Sequence, residues 1–251
     1  MENATSMVGP AARERRRIVT RLGLVAAAAH RLEQKTFDAL AVREITDALS
    51  LNEAAFYQYF PKKHDLLGYI TQLWQLEIQL AADRAAQGRD GLAFISALFA
   101  QASRLFGSRP GLTKEVTAFV IRLRPEHRLP QLSALERQLA FPDFSNAATL
   151  SARSISELFA HHLLRAVEQR QLPEHINVTA TTNALTSLFF GAASAPLTTM
   201  RGNGQIHQQQ LNLFLIGVKS TRAVAAADET NAPSLHHRHA DKPSLRGGTQ
   251  S

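Results

Sequence analysis

Between Arg43 and Lys63 the chain gathers the residue types that suit a nucleic-acid groove: the amides Asn52 and Gln58, the tyrosines Tyr57 and Tyr59, and small Ala54 and Ala55. If Asn52 caps a short helix, Phe56 and Phe60 fall on its apolar side and anchor it. Asn52, Ala54, Ala55, Gln58 and Tyr59 are then left open to a groove, with the two alanines permitting close approach. Other spacings carry less chemistry. His161 and His162 are adjacent, so on a helix they point in different directions and are not expected to share a metal. His236, His237 and His239 lie in a polar tail with no fixed acidic ligand, and Glu157, His161 and Arg165 at four-residue steps read as a solvated stripe. Gly202-Asn203-Gly204 lacks the preceding strand and third glycine of a dinucleotide loop and is expected only to join two helices. There is no H-E-x-x-H, no G-x-S-x-G and no phosphate loop, so neither an enzyme nor a cofactor is expected.

Elements able to position the groove-facing set follow from the punctuation. The 251 residues are 45% hydrophobic and 20% charged, enough apolar content for a core, and helix formers dominate over β-branched alternation. An all-α fold is expected. Pro10 can open a first helix with Ile18, Leu22, Val25, Ala29 and Leu32 as its stripe, and arginines at 13, 15, 16, 17 and 21 on other faces. A short helix with Ile45 and Leu49 on one face and a second one behind Asn52 follow, joined by a tight turn. Pro61 ends the pair, and Leu66, Leu67, Ile70, Leu73, Trp74 and Ile78 continue as a longer helix. Further helices are expected over 90–106, 112–123, 129–139, 145–171, from Asn177 onward with Leu185, Leu188, Phe189 and Phe190, and over 205–226. From Asp228 the chain is too polar to offset ordering entropy and is expected to be disordered. The chain has no cysteine, residues 1–10 have no apolar h-region, and no run reaches about 18 uninterrupted apolar residues. A cytoplasmic protein without a membrane partner is the expectation. A formal charge of +7 favours polyanionic partners without naming one.

The ordered set Val42-Arg43-Glu44-Ile45, then Phe56-Tyr57-Gln58-Tyr59-Phe60-Pro61, then Lys63 and Leu66-Leu67, closely resembles the N-terminal helix-turn-helix of TetR-family transcriptional regulators. The resemblance covers roughly residues 12–67. It implies a flexible segment 1–11, a DNA-binding domain 12–67 with its motif at 41–60, a helical effector-binding and dimerisation domain 68–227, and a tail 228–251. It further implies that Tyr57, Lys63 and Arg43 touch phosphates, whereas Asn52, Ala55, Gln58 and Tyr59 meet base edges or thymine methyls. The partners implied are a double-stranded DNA operator, a small-molecule effector of apolar character, and a second copy of the chain. Repression is the family's default. Bulky residues on the central helices, Trp74, Phe94, Leu98, Phe119, Leu158, His162 and Phe189, are the effector-pocket candidates. Arg122 and Arg124 could attract an anionic group. Pairing of apolar faces in 177–197 and 205–218 is the expected dimer contact.

Three positions depart from the family pattern. Ser50 stands at the turn where glycine is usual, at a cost of about 1–2 kcal/mol if the backbone there is left-handed. Glu53 favours the helix dipole but repels phosphate. Thr46 replaces an alanine and must fit its hydroxyl into a packed site or bond it back to the helix. Ser50 and Glu53 keep open an alternative: a helical ligand-binding or scaffold protein of the same fold without operator recognition.

Overall fold

A computed structural model of the chain describes residues 9–123, 128–194 and 203–230. Among these the regular elements are ten helices, with no strand: α1 (Pro10–Arg31), α2 (Val42–Asp47), α3 (Glu53–Tyr59), α4 (Lys63–Ala86), α5 (Leu92–Ser108), α6 (Pro110–Arg122), α7 (Ala134–Ala140), α8 (Ile155–Glu168), α9 (Val178–Ser194) and α10 (Asn203–Thr230). Pro10 sits in the first turn of α1, where its missing N–H costs nothing. In α1, Ile18, Val25 and Leu32 are buried as their spacing predicts, but Leu24 and Ala28 are buried too, and Leu22 and Ala29 only half. The stripe is wide because α1 packs on α2, α4 and α7 together. No helix among the described residues is long and apolar enough to cross a membrane.

Two expected helices are shorter than the periodicity suggests. The one expected over 129–139 starts at Ala134, where Ser133 and Glu136 close a reciprocal capping box. The one expected over 145–171 starts only at Ile155, behind a second such box between Ser154 and Glu157. Ahead of it, side chains satisfy the non-helical backbone: Arg137 donates to the carbonyls of Ala147 and Ala148 at 3.0 and 2.5 Å. Asn146 Nδ2 donates to Asp83 at 2.8 Å in the same stretch. At the ends, α1 begins inside the segment 1–11 expected to be flexible, and α10 runs to Thr230, past Asp228. The tail histidines, Arg124, Gly202 and Leu197 lie outside the described residues.

Two clamps fix the N-terminal helices on the rest. Arg21 of α1 pairs with Glu136 of α7 at 2.6 Å, and Tyr69 of α4 donates to the same carboxylate oxygen at 3.0 Å. Burial would raise the Glu136 pKa, but hydrogen bonds from Ser133 and Tyr69 and the Arg21 charge outweigh it and hold it low. Glu33, just past α1, accepts from the backbone N–H groups of Gly111 and Leu112 at 3.0 and 3.1 Å, capping α6. Gly111 is required there, since a Cβ would lie 2.3 Å from the Leu32 carbonyl oxygen.

Candidate nucleic-acid interface

The helix-turn-helix is built on the turn between α2 and α3. Leu49 and Leu51 N–H both donate to the Thr46 carbonyl at 3.0 Å, and Ser50 between them is left-handed at φ +54°. Thr46 is buried, and its hydroxyl bonds back to the carbonyls of Arg43 and Val42 at 3.1 and 3.3 Å. Leu49 lies beyond α2 rather than on it, seated over Gly23 of α1, where a Cβ would come within 2.7 Å of it. Asn52 caps α3, its Oδ1 accepting from Ala55 N–H at 2.8 Å. Behind α3, Phe56 is fully buried and packs on Phe60 at 5.4 Å, and Phe60 packs edge-on against Tyr69 at 5.8 Å.

That anchoring leaves Asn52, Glu53, Ala54, Tyr57 and Gln58 exposed on the outer side of α3, with Ala55 and Tyr59 half-buried. Tyr57 is 47% exposed and steadied edge-on by Phe56 at 5.3 Å. Asn52 has spent its acceptor on the cap, so only its amide donors remain to face outward. Arg43 is exposed and stands 3.7 Å from Asp47, an exposed pair that leaves the guanidinium free to exchange partners. Lys63 is differently employed. Its ammonium donates to the carbonyls of Phe37 and Asp38 at 2.7 and 3.3 Å and sits 4.7 Å over the Phe37 ring. Three donors on the ammonium leave one uncommitted. Its neighbour Lys62 is exposed at the N-cap of α4 and was not singled out by the motif, although the Lys62-Lys63 pair is visible in the sequence.

The seven effector candidates do not form one pocket. Trp74 and Phe189 are buried in an aromatic core with Phe106, Phe190 and Phe99, Trp74 stacking on Phe106 at 5.4 Å, and Leu98 is fully buried. Phe119 lines a groove of about 590 Å³ with Lys62, His64, Gly68, Arg122 and Arg128, beside the start of α4. Phe94, Leu158 and His162 line a separate niche of about 230 Å³. A larger cleft, about 860 Å³, is lined instead by Gln72, Gln75, Val120, Leu132, Arg137, Leu150, Arg153, Thr186 and Phe190, among others. None of these was an effector candidate, because a lining drawn from several helices and the loops between them carries no sequence signal of a cavity. Among the described residues α4, α6 and α9 hold buried polar atoms without partners: Trp74 Nε1 and the hydroxyls of Thr113, Thr117 and Thr182. Thr71, Thr181 and Thr186 show the ordinary arrangement, each donating to the carbonyl four residues back at 2.8 Å.

Residues 24–70 match the sequence model described as bacterial regulatory proteins, tetR family. No curated protein matches the chain in sequence. Among solved structures, the chain is similar to Thermus thermophilus FadR, a TetR-family transcriptional repressor solved with lauroyl-CoA. Identity is 18%, 90% of this chain and 100% of FadR are covered, and the TM-score is 0.54. RolR solved with resorcinol is 17% identical over 88% of this chain and 97% of its own, at a TM-score of 0.53. CprB from S. coelicolor A3(2), a TetR-family protein, is 20% identical over 86% and 100%, at a TM-score of 0.50. At these identities the likeness is one of fold. Residues 24–70, with the helix-turn-helix on its Phe56 and Phe60 anchors, thus match the tetR-family sequence model, and the chain as a whole shares the fold of TetR-family regulators.

Proposed function

We propose that the protein is a ligand-responsive transcriptional repressor that binds a palindromic operator as a homodimer in the cytoplasm. The observation that carries the reading is the outer ridge of α3, where Ala54, Tyr57 and Gln58 stand exposed on a helix pinned from behind by Phe56 and Phe60. Gln58, Ala54 and Ala55 are placed to meet base edges and methyl groups, with a smaller share for Tyr59, which is half withdrawn into the core. Tyr57, Arg43 and the remaining donor of Lys63 serve phosphates, and Asn52 contributes through its amide N–H groups.

The dimer rests on α10. The apolar face of α9, with Leu185, Phe189 and Phe190, is consumed inside the protomer, leaving Thr179, Ala180, Asn183, Ala184 and Ser187 outward. On α10, by contrast, Leu213 and Ile216 are 71% and 61% exposed. A two-fold pairing that hides them, with the small outer residues of α9 allowing close approach, would set two α3 helices on half-sites about 34–36 Å apart. The effector is assigned to the 860 Å³ cleft, whose mixture of glutamine, arginine, aliphatic and aromatic walls suits a molecule carrying both apolar surface and hydrogen-bonding groups. FadR with lauroyl-CoA and RolR with resorcinol offer precedents of that mixed character on the same fold.

Binding of the full-length protein to labelled duplexes covering the DNA upstream of its own reading frame, at two salt concentrations, tests the reading. Wild type should select one dyad-symmetric site. Gln58→Ala should lose about 1–3 kcal/mol of preference at one symmetric base position. Tyr57→Phe should weaken all sequences alike. Equal affinity of wild type for every duplex would refute operator recognition and favour the scaffold alternative.

A further inference from the structure

At the end of α4 remote from the helix-turn-helix, the 230 Å³ niche lies between the last turns of α4, the 88–91 turn that opens α5, residues 150–153 and α8. Its size falls below that of drug-sized sites and equals about eight waters. The carboxylates facing it each accept one hydrogen bond: Asp83 from Asn146 at 2.8 Å, and Asp90 from Arg165 at 3.3 Å. Gln79 spends both ends of its amide on the Ser151 carbonyl and the Arg153 N–H, at 2.9 and 3.2 Å. The cationic groups are not taken to the same degree. Arg153 donates no hydrogen bond from its guanidinium to any described residue, and Arg89 commits only Nε, to the Ala86 carbonyl at 3.0 Å. Behind them His162 is 6% exposed and stacks on Phe94 at 3.8 Å, and its Nδ1 has no partner, standing 3.8 Å from Asp90 Oδ1. Phe94 and Leu158 supply an apolar floor.

We propose that this niche binds a small organic carboxylate, its anionic end held by Arg153 and Arg89 and its apolar part against Phe94 and Leu158. Guanidinium donors of Arg153 and Arg89 without partners, beside an apolar floor, are the complement of an added carboxylate. The site is separate from the cleft assigned to the effector, but Leu150, Ser151 and Arg153 wall both, so occupation of one bears directly on the other. His162 adds a signature. The groups facing it are Asp90, His161, Arg153 and Arg165, and burial keeps its imidazole neutral at pH 7. An anion entering beside it would favour the imidazolium, so binding takes up protons and tightens on acidification.

Calorimetric titration of the full chain, without DNA, with sodium benzoate as the probe and benzamide as its uncharged counterpart tests this and stands independently of operator binding. Benzoate should bind one site per chain with a dissociation constant of order 1 mM, as expected for so few atoms. It should bind several-fold tighter at pH 5.5 than at pH 7.5, and benzamide should be at least about tenfold weaker. Arg153→Gln and Arg89→Gln, each first shown to melt as wild type does, should each weaken benzoate several-fold. Absence of saturable benzoate binding, equal affinity for benzamide, or unchanged affinity in both variants would overturn the proposal. The two variants sit on different segments, so failure of one to fold leaves the other decisive.

Discussion

Replacing Ser50 with glycine should stabilise the protein, and the size of the gain follows from the turn. Ser50 is exposed, its side chain makes no hydrogen bond with a described residue, and its backbone lies at φ +54°. Trimming the hydroxymethyl group therefore removes no contact while relieving about 1–2 kcal/mol of left-handed strain. Glycine gives back about 0.5–1 kcal/mol through the extra freedom of the unfolded chain. The net is about 0–1.5 kcal/mol, or up to about 6 °C in Tm for a chain of this length. Urea unfolding should show a higher midpoint at an unchanged slope, since no surface is newly buried. Gln87→Gly is the matched comparison: it too is left-handed, at φ +52°, exposed, and closes a helix through its N–H on Asp83. Because the Leu49 and Leu51 N–H bonds to Thr46 already fix the turn, α3 should not move and DNA affinity should not change. Stabilisation by Gln87→Gly with none from Ser50→Gly would refute the assignment of strain to the helix-turn-helix turn.

Two further outcomes follow from buried groups and from exposed ones. Burial, aided by neighbouring His161 and only partly opposed by Asp90, pushes the His162 pKa down to about 4, and burial lowers that of His207 despite its contact with the Phe189 carbonyl. The unfolded chain then takes up protons that the native state refuses, so stability is complete above about pH 6.5 and is lost as pH falls from there toward 4. His162 alone accounts for about 3 kcal/mol across that window. Urea midpoints measured from pH 7.5 to 4.5 should fall, and His162→Gln should flatten the slope; a flat wild-type profile would contradict the assigned burial. Leu213→Glu should leave only monomer in sedimentation at micromolar concentration, because it would set a carboxylate on the exposed apolar face proposed to pair. An unchanged dimer would place the interface elsewhere.

What could be seen in the sequence was local. Asn52 and Asn177 as caps, Phe56 and Phe60 as anchors, and the return of the Thr46 hydroxyl to its own helix each depend on residues within four positions. Local rules also contained the signals that were passed over: Ser133-x-x-Glu136 and Ser154-x-x-Glu157 are capping boxes in plain sight, and reading them would have shortened both overlong helices. Apolar periodicity misled there because the 142–153 stretch has helical composition but spends its backbone carbonyls on Gln79 and Arg84 of α4 and Arg137 of α7.

The site divides along the same line. The exposed ridge of α3 was legible because one face of a short helix follows from two phenylalanines. The second use of Lys63 was not, since its acceptors are the carbonyls of Phe37 and Asp38, 26 and 25 residues earlier, and no side-chain pattern announces a backbone acceptor. Distance hid the clamps more completely. Arg21 and Glu136 are 115 residues apart, and Glu33 meets Gly111 across 78. The effector candidates are scattered for a related reason. Choosing the largest apolar side chains selects the best-packed positions, and Trp74, Leu98 and Phe189 are therefore where empty space is least. A cleft needs side chains that face one another without filling the gap, as Gln75, Thr186 and Arg137 do from three different elements. That condition belongs to the packing of helices and not to any one of them, which is why the exposed ridge of α3 could be found from the sequence and the cleft could not.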